Sequence, residues 1–255
     1  MTIKVYVVNL KKDKDRRDHI CKHFAERNVE FEFIDAVYGK NLTPNELKQK
    51  VDFDGCKKNL GRETSLGEIG CSLSHKLIYD KIVEENLFGA FVFEDDAVLC
   101  KDISIVMKSI ANNLNLFKKG LWLGLGNSYI RINKRILDIN QNHSIHESTR
   151  TSTTLAYYID YEGAKKLSKL NEKIRFTADY VKGYRNILNL YAADSLCAKQ
   201  NPEINSTIGG GVRSKSNKPW IKKLVRTIRD MYFRNIGSKF MEKILGIKKS
   251  SIFLD

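Results

Sequence analysis

Three consecutive acids at the end of an apolar stretch are the residues of this chain with the clearest chemical potential. Glu94, Asp95 and Asp96 follow the apolar run that extends from Phe88 to Phe93. Adjacent carboxylates repel one another and lose hydration unless a cation or hydrogen-bond donors compensate them. A hard divalent cation carrying a diphosphate would do so, because Mg²⁺ and Mn²⁺ prefer oxygen ligands and bind one or two carboxylates together with substrate phosphates. Local composition leaves an ordinary solvated acidic turn open as the alternative.

An amide and two arginines near the N-terminus could bind a nucleotide. Asn9 follows the strand-like residues 3–8, and Arg16 and Arg17 follow at the start of a predicted helix. The amide could contact a base or ribose edge, and an arginine fork suits phosphate. A solvated helix face is the alternative.

A glycine pair marks the start of another predicted helix. Gly67 and Gly70 allow close backbone approach and expose N–H groups to an anion, and Ser74 and His75 add side-chain donors. For His75 alone, a packed and hydrogen-bonded histidine is the alternative. The chain contains neither Gly-x-Gly-x-x-Gly nor a Walker A pattern, which argues against an ordinary dinucleotide or P-loop site. Asp179 sits at a predicted loop-to-helix junction, where it could cap the helix or act as a general base.

Alternating strands and helices must position these residues. Predicted strands cover residues 3–10, 31–37, 88–93, 121–125, 153–159 and 190–197. Predicted helices cover residues 13–28, the segment from Thr43, and residues 68–86, 103–117, 161–170 and 177–187, whereas 51–64 is expected to be a loop. This alternation predicts an α/β layer fold with a mixed, mostly parallel sheet. In such sheets ligands bind at the carboxyl ends of strands, where the three acids fall.

Composition narrows the class of protein. The chain has 255 residues, enough for one large domain with an appendage. Its five cysteines include no Cys-x-x-Cys pair, so we expect reduced thiols and a cytoplasmic location. The N-terminal residues show no signal-peptide pattern, and the longest apolar run is far below the roughly 18 residues of a membrane span.

The positive charge is concentrated near the C-terminus. The net charge is +14, and residues 213–249 carry twelve Lys or Arg against two acids. We therefore predict a domain over 1–212 and a basic amphipathic helical tail over 213–255. Because the rest of the chain is only mildly basic, a nucleic-acid partner is disfavoured. The apolar stripe over 219–245 predicts either contact with an anionic membrane surface or packing on the domain.

The order of these motifs resembles the bacterial lipooligosaccharide glycosyltransferases of family 25, whose animal relatives include the collagen galactosyltransferases. The matching segments are Val5–Leu10 with Asp15–Arg17, Gly67–Cys71 with Ser74–His75, Phe93–Asp96, Ala156–Tyr157 with Gly163–Leu167, and Asp179. They span roughly residues 3 to 200.

The resemblance implies a GT-A-type, Rossmann-like domain that binds a UDP-sugar through Mn²⁺ or Mg²⁺. It implies an inverting transfer of a hexose, expected to be galactose from UDP-galactose, onto a sugar of the lipid A core. Glucosyl or N-acetylhexosaminyl transfer, and an inactive binding module of the same fold, are the alternatives. The enzyme would work peripherally on the inner face of the bacterial inner membrane.

The resemblance also assigns roles to residues. Asp96 is the expected metal ligand and Asp179 the expected base that deprotonates the acceptor hydroxyl. No histidine follows His146, so a second protein ligand is expected from Asp194 or is absent. The expected donor-binding residues are Asn9, Leu10, Arg16, Arg17, Gly67, Gly70, Ser74, His75, Glu94, Asp95 and Tyr157.

Overall fold

Strands and helices alternate along the chain in the computed structural model, which describes residues 3–126, 130–150, 153–179, 184, 186–204 and 248–249. The strands are β1 (Lys4–Asn9), β2 (Glu32–Asp35), β3 (Gly89–Glu94), β4 (Ala97–Leu99), β5 (Leu121–Gly124), β6 (Ile130–Asp138), β7 (Ser144–Arg150), β8 (Ala156–Asp160), β9 (Asn189–Ala193), β10 (Ala198–Gln200) and β11 (Lys248–Lys249). The α-helices are α1 (Lys14–Ala25), α2 (Pro44–Lys50), α3 (Phe53–Leu60), α4 (Leu66–Glu84), α5 (Ile103–Asn112) and α6 (Tyr161–Leu170). Single 3₁₀ turns lie at Gly39–Asn41 and Leu114–Leu116.

One mixed sheet forms the centre of the molecule. Its strand order is β11-β6-β7-β9-β5-β8-β3-β1-β2, while β4 and β10 form a separate antiparallel pair. Pairing is parallel for β1 with β2 and β3 and for β5 with β9. The other five neighbours in the described sheet are antiparallel. Six strands therefore point one way and β8, β7 and β11 the other, so the sheet is mostly parallel in direction although antiparallel pairs are more numerous.

Alternating side chains bury both faces of the sheet. Val5 and Val7 face a core shared with α1 and α5, while Tyr6 and Val8 face a core shared with α4 and α6. The period of two along a strand produces this division. Helices thus cover the sheet on both sides, which confirms the predicted α/β layer fold. β1 and β3 are held rigidly between them, and both end at the same edge.

Two predictions about helices need correction. Residues 53–60 form α3, although 51–64 was expected to be a loop; Asp52 caps this helix through Gly55 N, and Gly61 ends it with a φ of 72°. Eight residues are too few for a clear periodic signal, and packing of buried Cys56 in a small core stabilises the helix instead. The predicted helix over 177–187 is also wrong where the structure describes it: residue 177 has no regular structure, residues 178, 179 and 187 lie in turns, and residues 184 and 186 are 3₁₀-helical.

The predicted amphipathic helix over 219–245 lies outside the described residues, as does the tail over 213–255 apart from the two residues of β11. β11 pairs with β6. Among the described helices, none combines the length and the apolar character needed to cross a membrane.

Candidate functional site

A cavity of about 300 Å³ lies at the edge where β1, β2 and β3 end. Its size falls at the lower limit for small-molecule sites. The lining residues come from the ends of these strands, from the segment after β2 and from the start of α4; they are Val8, Asn9, Leu10, Arg16, Ala36, Val37, Tyr38, Gly39, Lys40, Ser65, Leu66, Gly67, Cys71, Ser74, His75, Glu94 and Asp95. Eight of the expected site residues are among them, drawn from three separate segments of the chain.

The carboxylate of Asp95 is fully engaged at this edge. Asn9 Nδ2 donates to Asp95 Oδ2 at 2.7 Å, and Arg16 Nε donates to Asp95 Oδ1 at 2.8 Å. Arg16 Nη2 contacts the same Asp95 oxygen. Arg17 Nη1 donates to Asn9 Oδ1 at 3.3 Å while its guanidinium lies over the Phe33 ring. Asp95 and Arg17 therefore position Asn9 and Arg16, and Arg17 itself does not line the cavity.

Asp96, in contrast, keeps one oxygen without a partner. Its Oδ2 accepts from Gln200 Nε2 at 3.0 Å and lies 3.3 Å from Arg16 Nη2. Oδ1 is buried without a hydrogen bond, and the residue is only 3% exposed. Burial, followed by the charge of Glu94, raises the pKa of Asp96 to about 6. Gln200 is supplied by β10, 104 residues away, and nothing local in the sequence marks it.

Next to the acids, Cys71, His75 and Glu94 place one ligand atom each within 4.8 Å of one another. His75 Nδ1 lies 2.9 Å from the Tyr157 hydroxyl, and His75 Nε2 lies 3.5 Å from Glu94 Oε1. Thr154 Oγ1 donates to the same Glu94 oxygen at 2.5 Å. Tyr157 is fully buried and does not line the cavity, so it reaches the site only through the imidazole.

Asp179 lies in a turn and is exposed. Burial and the charges of Glu94, Asp179 and Asp96, in that order, raise the pKa of the Cys71 thiol well above its usual value. The carboxylate of Asp179 is therefore close enough to act on a group in the cavity wall, although it does not line the cavity. It does not cap an α-helix in the described residues.

The two glycines of α4, Gly67 and Gly70, have different structural roles. Gly67 lines the cavity in the first turn of the helix, where N–H groups have no intrahelical partner. A Cβ on Gly70 would lie 2.5 Å from Val37 O and 2.7 Å from Gly39 N. Gly70 therefore permits the segment after β2 to cross the helix, and Ser74 Oγ fixes that crossing by accepting from Val37 N at 2.8 Å.

This crossing segment is the part of the cavity wall that the sequence analysis missed. Tyr38 and Lys40 both line the cavity, and Lys12 Nζ lies 3.4 Å from the centre of the Tyr38 ring. The signal was available, because β2 is a neighbour of β1 and its carboxyl end had to reach the same edge. Asp194, the other proposed metal ligand, is engaged elsewhere, accepting from Ser144 N and Oγ at 2.8 and 2.9 Å.

Sequence comparisons identify relatives of this chain. The family model described as "Glycosyltransferase family 25 (LPS biosynthesis protein)" matches residues 2–182. Procollagen galactosyltransferase 1-A of Xenopus laevis is 30% identical over 168 residues, which are 64% of this chain and 27% of that protein. Procollagen galactosyltransferase 2 of Homo sapiens is 27% identical over 172 residues, 66% of this chain and 27% of that protein.

A bacterial relative also matches. Lipooligosaccharide biosynthesis protein lic2B of Haemophilus influenzae is 34% identical over 102 residues, which are 37% of this chain and 34% of that protein. The matches thus span only about a quarter to a third of these relatives. The family model covers most of the chain, including the three acids, the glycine pair and Asp179. The chain therefore belongs to glycosyltransferase family 25.

Proposed function

We propose that this chain is a metal-dependent hexosyltransferase of the GT-A type, which transfers galactose from UDP-galactose with inversion. The observation that carries the proposal is the buried Oδ1 of Asp96, which lacks a hydrogen-bond partner beside a cavity at the carboxyl edge of β1 and β3. A buried carboxylate oxygen without a donor is costly, and a bound cation would compensate it. The procollagen galactosyltransferases among the relatives support the choice of sugar.

The residues at this edge fit Mn²⁺ or Mg²⁺. Asp96 Oδ1 is an unpartnered hard oxygen, which is the ligand type these ions prefer, whereas Asp95 is already saturated by Asn9 and Arg16. We assign Asp96 as the metal ligand, with Glu94 and Asp95 as neighbours that hold the donor site in shape. When bound, the metal would neutralise charge on the departing diphosphate.

The cavity wall supplies groups for a UDP-sugar. Arg16 and Lys40 provide positive charge, and the first turn of α4 at Gly67 presents backbone N–H groups and the positive end of the helix dipole. Val8 and Leu10 give an apolar wall for the uracil ring. The diphosphate would therefore lie between Arg16 and the start of α4.

Asp179 is our candidate for the general base. An inverting transfer needs a carboxylate that takes the proton of the acceptor hydroxyl as this oxygen attacks the anomeric carbon. Asp179 is exposed, so an acceptor can reach it, and its charge acts on Cys71 in the cavity wall. Its replacement should leave donor binding intact and remove transfer.

For the acceptor we propose a sugar of a lipooligosaccharide, in line with the name of the bacterial relative. The basic residues within 213–249 would then hold the enzyme on anionic lipid at the inner face of the inner membrane. Removal of 213–255 should abolish binding to anionic vesicles; unchanged binding would refute this part of the proposal.

A donor panel tests the activity. UDP release would be measured with UDP-galactose, UDP-glucose and UDP-N-acetylhexosamines, with Mn²⁺ or with EDTA. We expect metal-dependent release, highest with UDP-galactose, that falls at least about 100-fold in Asp96→Asn, the scale of losing one strong electrostatic contact to a leaving group. Asp54→Asn, at an exposed site in α3, is the matched control and should retain activity.

Two outcomes would change the conclusion. If UDP release is highest with UDP-glucose, the proposed reaction stands and its donor is UDP-glucose instead of UDP-galactose. UDP binding without release from any donor and acceptor would instead favour an inactive binding module.

A further inference from the structure

A second ligand set in the cavity wall differs from the carboxylates in chemical type. Cys71, His75 and Glu94 offer a sulfur, an imidazole nitrogen and a carboxylate oxygen, all within 4.8 Å of one another. Cys71 and His75 are four residues apart on α4 and so share one face of the helix, while Glu94 ends β3. Rigid elements therefore hold all three.

The hydroxyl of Tyr157 holds the His75 ring in place, because His75 Nδ1 lies 2.9 Å from it and Tyr79 Oη lies 3.4 Å from the same hydroxyl. Nε2 is buried without a hydrogen-bond partner in a residue that is 1% exposed. In the tautomer that carries its proton on Nδ1, the lone pair of Nε2 is available to a metal ion. A ligating histidine in proteins commonly has its second nitrogen held in this way.

The Nε2 atom of His75 faces the carboxylate of Glu94. Nε2 lies 3.5 Å from Glu94 Oε1, and Thr154 holds that carboxylate in place. When Nε2 carries no proton, these two atoms are both acceptors and repel unless a cation lies between them. Two nitrogen or oxygen ligands at about 2.0–2.1 Å from a tetrahedral Zn²⁺ are about 3.4 Å apart, close to the observed separation.

We propose that Cys71, His75 and Glu94 form a binding site for a borderline-soft divalent metal ion, represented by Zn²⁺. Thiolate and imidazole ligands select Zn²⁺ or Co²⁺ over Mg²⁺, which separates this site from the oxygen site at Asp96. The negative charges of Glu94, Asp179 and Asp96 act on Cys71 and favour a dication there. All three ligands line the cavity, so a fourth position opens into it. Binding converts the thiol to a thiolate and releases its proton to solvent.

Cobalt spectroscopy tests the site directly. Metal-free full-length protein would be titrated with Co²⁺ while its near-ultraviolet absorption is followed, because a thiolate bound to Co²⁺ gives a charge-transfer band there. We expect one equivalent to produce the band, Zn²⁺ to displace it, and Cys71→Ser to remove it. Cys21→Ser, at a partly exposed cysteine of α1, is the control and should retain the band.

The wild-type chain gives a second reading that does not depend on a variant's folding. Zn²⁺ should slow maleimide labelling of Cys71 at least tenfold, as mapped by mass spectrometry, without changing labelling of Cys21. Asp96→Asn should lose Mn²⁺-dependent UDP binding and keep the cobalt band, so failure of the proposed transferase site and failure of this site are distinguishable. Absence of the band in the wild type would mean that Cys71, His75 and Glu94 do not bind a metal ion together. That result, or a band that persists in Cys71→Ser, would overturn the proposal.

Discussion

Replacing Asp96 with asparagine should stabilise the metal-free protein while removing its function. The carboxylate is 3% exposed and lies near Glu94, and these surroundings raise its pKa from 3.8 to about 6. At neutral pH Asp96 is therefore ionised in the folded protein, although its buried surroundings favour the neutral carboxylic acid. Asparagine keeps the shape of the side chain and removes that charge.

The pKa shift gives the size of the effect. A rise of about two units corresponds to on the order of 3 kcal/mol, at 1.36 kcal/mol per unit. Because the folded-state pKa is raised, the contribution of Asp96 to the free energy of unfolding is fully present below pH 3.8 and is lost as the pH rises through about 6. The advantage of Asp96→Asn should thus be greatest above pH 7 and fall to about 0.5 kcal/mol by pH 4.

Urea unfolding in EDTA, followed by circular dichroism at pH 4, 6 and 7.5, measures this difference. Asp54→Asn is the control, because an exposed carboxylate should change stability by less than about 0.5 kcal/mol. A metal-free Asp96→Asn protein that is less stable than the wild type at pH 7.5 would refute the reasoning. An advantage of equal size at pH 4 would show that the effect is not one of charge.

Three further predictions concern the cavity. UDP binding with Mn²⁺, measured by calorimetry, should weaken as the pH falls below about 6, because protonated Asp96 cannot ligate; affinity that is unchanged from pH 7.5 to 5 would contradict its role. Arg16→Lys keeps the charge and loses the fork that engages Asp95, so UDP affinity should fall about tenfold, and an unaltered affinity would count against the arginine. Gly70→Ala places a methyl group 2.5 Å from Val37 O and should cost about 1–3 kcal/mol in urea unfolding, whereas a neutral effect would mean that the crossing segment yields freely.

Most of the fold near the cavity could be predicted from local patterns. The strand that ends in the acids, the first strand and α6 were placed within one or two residues, because their apolar runs are unbroken or strictly periodic. The predicted start of a helix at Thr43 is also confirmed, and a capping box between Thr43 and Glu46 begins α2 there. β6 and β7 were missed because polar and charged residues dominate both strands, so pairing in the sheet rather than composition makes them strands.

The residues of the site could be predicted from the sequence, whereas the hydrogen bonds between them could not. Carboxyl ends of neighbouring parallel strands had to converge, which placed Asn9 beside Asp95. The contacts of Arg16 and Gln200 determine that Asp95 is fully hydrogen-bonded while Asp96 keeps one oxygen without a partner. Gln200 lies on β10, 104 residues beyond Asp96. Local sequence holds no information on such a distant partner.

Crystals grown with UDP and Mn²⁺ would test the central claim most directly through the anomalous scattering of manganese. The account predicts one strong anomalous peak beside Asp96, with the diphosphate of UDP in the cavity between Arg16 and the start of α4. A peak remote from Asp96, or UDP bound outside this cavity, would contradict it.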